Sequence, residues 1–109
     1  MTNSELKAWL IAERGNECEI CNPFPTSPLE VHHFLIHDKK RYHDALTTPE
    51  NCALVCRDCH KWLNGHGERV AFLQRQLKRY GQKRMREWIE GLPEKIVVES
   101  WIAEAIRAT

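Results

Sequence analysis

The chain has 109 residues, 28% of them charged and 42% hydrophobic, with five Gly and five Pro, which excludes global disorder and a fibrous repeat and fits one small folded domain. A formal charge of +1 excludes a uniformly basic or acidic protein, yet residues 68–87 hold seven basic side chains against two acidic ones. A local stripe of that sign suits an anionic partner.

The elements follow in chain order. Thr2 and Glu5 form a capping-box signature, and Leu6, Trp9 and Leu10 then share one face of a helix that Gly15 stops. Residues 16–28 carry Cys18 and Cys21 and then Pro23, Pro25 and Pro28, which permits a knuckle and a loop but neither a regular helix nor a central strand. Residues 29–35 are short and β-compatible and bear His32 and His33. The polar stretch 36–50, ending in Thr47-Thr48-Pro49, is expected to be a loop, with His37 and His43 as ordinary loop residues.

Residues 51–55 form a second expected strand, Cys56 to Cys59 a second knuckle, and a helix starting near Asp58 is expected to carry His60 and Asn64. Gly65 and Gly67 should break or bend it. From Glu68 onward Val70, Leu73, Leu77 and Tyr80 recur at helical spacing, with Arg69, Arg75, Lys78 and Arg79 elsewhere on the surface. After Gly81 a helix holding Met85, Trp88 and Ile89 ends around Gly91-Leu92-Pro93, and a last short helix spans about 101–106. The expected layout is one α+β domain: an N-terminal helix (1–15), a knuckle core (16–66) and a helical extension (67–109). Trp9, Trp88 and Trp101 are expected in the core, and Trp62 is the exception that could meet a base.

Neither a secretory leader nor an ~18-residue apolar span is present, so the expected setting is cytoplasmic, without a membrane partner. Five cysteines in that setting point to metal rather than disulfides. Cys18-x-x-Cys21 and Cys56-x-x-Cys59 are two knuckles whose two-residue spacers let paired sulfurs converge, so a single tetrahedral Zn²⁺ with a closed, structural coordination shell is expected. Cys52 lies outside both knuckles and is expected in the core.

Between and after the knuckles stand Val31-His32-His33 and Asn51-Cys-Ala-Leu-Val-Cys-Arg-Asp-Cys-His60. Together with the paired knuckles this pattern resembles the zinc-knuckle form of the HNH nuclease family over residues 16–66. The resemblance implies a ββα-metal (His-Me finger) core stapled by a four-cysteine zinc site, with His33 as general base, Asn51 holding the loop that orients it, and His32 and His60 as ligands of a divalent metal. A further ligand is expected one helical turn after His60. Asn64 occupies that place and His66 competes for it, and an amide there favours Mg²⁺ or Mn²⁺ over a second zinc.

The reaction so implied is phosphodiester hydrolysis of DNA, in double-stranded form, by a monomer or homodimer. Lys39, Lys40 and Arg41, with Arg69, Arg75, Lys78 and Arg79 of the basic helix, would contact phosphates and carry no base code. The alternative is a zinc-stapled DNA-binding module without catalysis. A small phage or mobile-element nuclease is the setting the compactness suggests.

Overall fold

The computed structural model describes residues 1–109 except Asn22, Pro23, Trp62 and Asn64, and of Lys39 and Lys40 it describes the backbone alone. Helix α1 (Asn3–Arg14) opens on the expected capping box: Glu5 N–H donates to Thr2 Oγ1 and Thr2 N–H to Glu5 Oε1. Leu6 and Leu10 are fully buried one turn apart. Gly15 ends the helix at φ +83°, donating its N–H to Ile11 O. Only glycine adopts that left-handed region at little cost.

Strands β1 (Leu29–His33) and β2 (Cys52–Cys56) form a two-stranded antiparallel sheet in which His32 faces Ala53 and His33 faces Cys52. Every residue of β2 is buried, because α1 and the first knuckle cover the side that β1 leaves open. A two-stranded ribbon is marginal alone. Here Leu6 and Leu10 of α1 share one buried core with the strand residues.

The stretch expected to be a loop contains α2 (Lys39–Leu46). Tyr42, Ala45 and Leu46, its only apolar side chains, fall at helical spacing but are too few to stand out in a polar stretch without a side-chain cap; Leu46, fully buried, anchors it. Its backbone departs from helical values at Tyr42, so it is two turns joined by a kink.

The helix expected to carry His60 and Asn64 is also different. α3 (Arg57–His60) is a single turn whose N-cap is Cys56, not Asp58. Asp58 instead ties the proline loop down, taking Thr26 Oγ1 on its carboxylate and giving its N–H to Ser27 Oγ, each at 2.9 Å. Asn64 lies outside the described residues.

α4 (His66–Tyr80) begins two residues earlier than expected, with Gly65 as N-cap and Gly67 inside the first turn, so His66 opens a new helix instead of extending α3. Its most buried side chains are Phe72, Leu73 and Gln76, which places the inward stripe on 69, 72, 73, 76 and 80 rather than on Val70. α5 (Gln82–Glu90) and α6 (Ser100–Ala108) fall where expected and pack on each other through Met85, Ile102 and Ile106. Phe34 from the end of β1 stacks on Phe72 with ring centroids 4.2 Å apart, which docks the helical extension on the sheet.

Candidate metal centres

The four knuckle cysteines come from three places. Cys18 and Cys21 sit in a turn that docks on the outer edge of β2, where Glu19 N–H donates to Leu54 O at 2.8 Å. Cys56 ends β2, and Cys59 follows in α3. All four Sγ atoms lie within 4.8 Å of one another. Among the described residues this is the one group of three or more ligating side chains that converges so closely.

The backbone around the cluster favours thiolate. Cys18 Sγ accepts N–H groups from Ile20, Cys21 and Cys56 at 3.3–3.5 Å. Burial opposes ionisation of Cys18, but those donors outweigh it and its thiol titrates below the ordinary value. The Cys59 N–H, aided by other donors against burial, brings Cys56 down to about 5. Burial and the neighbouring sulfurs push Cys21 and Cys59 upward. A cation entering the cluster would displace the thiol protons that remain. Four soft donors at this separation suit a metal such as zinc, with no position left open for substrate. Cys52, as expected, is a core residue; its thiol donates to Leu46 O at 3.4 Å.

A second constellation lies on the other side of α3. His32 Nδ1 and His60 Nε2 approach to 3.0 Å although 28 residues separate them, and the His32 ring is wedged edge-on against Phe34 at 4.5 Å. Glu30, two residues before His32 and so on the same face of β1, lies 3.4 Å from His60 Nδ1. A carboxylate on the far nitrogen of an imidazole fixes its tautomer and orientation, as in many histidine metal sites. Glu30 is absent from the residues expected at the site, although its period-2 spacing to His32 is a signal that could have found it. His37 is a second addition: its ring centroid is 6.0 Å from that of His32, and both line a cavity of about 150 Å³ with Leu63, Glu68 and Arg69.

His33 and Asn51 occupy the interior. Asn51 is fully buried and its amide is saturated: Oδ1 accepts from Leu35 N–H and Ile36 N–H, while Nδ2 donates to Ile36 O and Leu46 O. It holds the chain leaving β1 against the end of α2. His33, 2% exposed, points away from His32, and its Nε2 lies 3.0 Å from Thr47 Oγ1. The Thr47 hydroxyl donates to His43 O at 2.6 Å, so its oxygen accepts from His33 Nε2–H. In this arrangement that nitrogen carries a proton and faces protein, not water.

The remaining expected residues are dispersed. His66 packs edge-on against Trp101, at 4.7 Å between centroids, on the far end of the Arg69 cluster. Arg69 is inward-facing: it donates to Phe34 O and Leu35 O, pairs bidentately with Glu99 and lies over the Trp101 ring. Arg75 and Arg79 both lean on Glu19. Lys78 and Arg41 are exposed, and the side chains of Lys39 and Lys40 lie outside the described residues, as does Trp62. Among the described residues no helix is long and apolar enough to cross a membrane. Compared with protein-family models, curated proteins and solved structures, the chain finds no match.

Proposed function

We propose that the protein is a metal-dependent DNA endonuclease of the HNH type, in which the four-cysteine cage is structural zinc and His32 and His60 hold a catalytic Mg²⁺ or Mn²⁺. One observation carries this reading: His32 from β1 and His60 from α3 converge at 3.0 Å beside the cysteine cluster, with Glu30 behind His60. Two nitrogens at that separation match adjacent corners of an octahedron with ligands at ~2.1 Å. The cation, when bound, would stabilise charge on the leaving 3′-oxygen. The chain's own part is to orient the two imidazoles, to keep the cavity edge open beside His37, and to supply a base.

The resemblance gives that base to His33. On this reading the segment bearing Thr47 moves off β1, the ring proton of His33 passes from Nε2 to Nδ1, and the bare Nε2 meets water and accepts its proton. The buried state of His33 favours a second reading, a zinc-stapled nucleic-acid-binding module in which His33 merely ties β1 to α2. Supercoiled plasmid separates the two. Zinc-loaded protein with Mg²⁺ or Mn²⁺ should nick it, His32→Ala and His60→Ala should not, and His33→Ala should lose ~10²–10⁴-fold in rate while still binding DNA. Equal trace nicking by wild type and all three variants would leave the binding module.

A further inference from the structure

The single turn of α3 has two differently committed faces. Asp58 and Cys59 turn to the proline loop and to the cage, whereas Arg57, His60 and Lys61, at i, i+3 and i+4, share the other side. Lys61 is the C-cap but keeps helical dihedrals (φ −64°, ψ −23°), so it stays on that side. Glu30 bears the arrangement out, since its two carboxylate oxygens lie 3.7 Å from Arg57 Nε and 3.4 Å from His60 Nδ1. A member of the histidine pair thus shares its face with two exposed cations.

These cations differ from the arginines of α4. Arg69 is spent on Phe34 O, Leu35 O and Glu99, and Arg79 on Glu19 and Gln76. Arg57 meets Glu30 at a distance too long for a hydrogen bond, with 59% of its side chain in water. An ion pair that exposed contributes little and yields readily to a competing anion.

We propose that Arg57 and Lys61 seat the backbone of a DNA strand across His60, Arg57 leaving Glu30 for a phosphate as the strand arrives. The inference rests on the nucleic-acid reading above and names contacts for it that the arginines of α4 do not supply. One of these cations would suffice to hold a single carboxylate. A strand carries a charge at every nucleotide, so one phosphate can reach the histidine pair while its neighbours meet the cations on the same face. The planar fork of Arg57 matches phosphate oxygens, and Lys61 adds a point charge.

The test follows binding of a fluorescent DNA duplex to the zinc-loaded full chain by anisotropy, over a salt series and without added divalent cation. Arg57→Gln and Lys61→Gln should each lower the slope of log affinity against log salt by ~0.9, and so weaken binding about eightfold at roughly 0.1 M salt. Glu30→Gln should tighten binding, and the gain should vanish in the Arg57→Gln background, because Glu30 acts through Arg57. Slopes unchanged in both cation variants, or a Glu30→Gln gain undiminished without Arg57, would overturn the proposal. So would poly-glutamate displacing the duplex as effectively, charge for charge, as unlabelled duplex does, which would assign an acidic protein partner instead. Wild-type protein that binds no duplex at all removes the nucleic-acid reading together with this one, whereas binding with unchanged slopes removes this inference alone.

Discussion

Asn51→Ala should be among the most damaging single changes in the chain. Its amide joins four backbone groups from two segments, Leu35 N–H, Ile36 N–H, Ile36 O and Leu46 O, at 2.9–3.2 Å and with no exposure to solvent. At ~0.5–1.5 kcal/mol net for each bond, the four together contribute about 2–6 kcal/mol. Domains of this size hold roughly 5–15 kcal/mol in total. Alanine removes the side-chain partner of Leu35 N–H, Ile36 N–H and Ile36 O and leaves Leu46 O only the weak Cys52 thiol donor, so a loss of about 4 kcal/mol is expected, with a Tm lower by on the order of 15 °C. Urea unfolding followed by circular dichroism, with zinc content measured alongside, reads the effect. Asn51→Asp supplies the control: its oxygen still meets the Leu35 and Ile36 amides, but a second oxygen now faces two carbonyls. It should be as destabilised at neutral pH and recover partly in acid, where a protonated carboxyl can donate again. An Asn51→Ala protein within about 1 kcal/mol of wild type would refute the account of this residue as the joint between β1 and α2.

Three further outcomes are expected. Purified protein should carry about one tightly bound Zn²⁺ by elemental analysis; retention of that zinc by a folded Cys18→Ala, Cys56→Ala double variant would remove the cage assignment. Glu30→Gln should weaken Mn²⁺ binding at the histidine pair by ~10–100-fold while leaving the cage loaded, as loss of an outer carboxylate usually does; paramagnetic broadening of the His60 ring signals would show it. The carboxyl of Glu99 is held below its ordinary value of 4.5 by the Arg69 guanidinium, with help from Trp101. Its folded value is the lower one, so its contribution is complete above about pH 4.5 and is lost as pH falls through that lower value. Acid titration of tryptophan fluorescence should then show a transition that Glu99→Gln lacks, and identical titrations would contradict it.

Where the sequence was informative, it was so through short-range chemistry. The capping box of α1, the paired knuckles and the apolar runs of the two strands each carry their own local signal, and each lies within two residues of its expected place. α2 was not legible because its inward face is only Tyr42, Ala45 and Leu46, a single helical repeat in an otherwise polar stretch without a capping signal. Arg69 misled for the opposite reason: it sits on the inward stripe of α4, and only the folded chain shows that its positive charge is consumed by Phe34 O, Leu35 O and Glu99. The two histidines of β1 illustrate both cases. Strand alternation foretold that they would separate, and the family resemblance implied that His32 would share a site with His60, but nothing local foretold that Thr47 would receive the other.

The docking of the first knuckle on β2 has a bearing on how the protein would fail. Cys56 N–H donates to Cys18 Sγ and Glu19 N–H to Leu54 O, so the turn that carries two of the sulfurs also occupies the free rim of an entirely apolar five-residue strand, Cys-Ala-Leu-Val-Cys. Stripping the cage would loosen this turn and uncover a short, uncharged β-segment with open backbone donors and acceptors, the kind of surface that recruits identical segments from other chains. Chelated protein is therefore expected to leave solution as concentration-dependent, strand-rich assemblies, and not to persist as dispersed unfolded monomers. A cage that holds the hairpin together thus also acts as a guard on its edge.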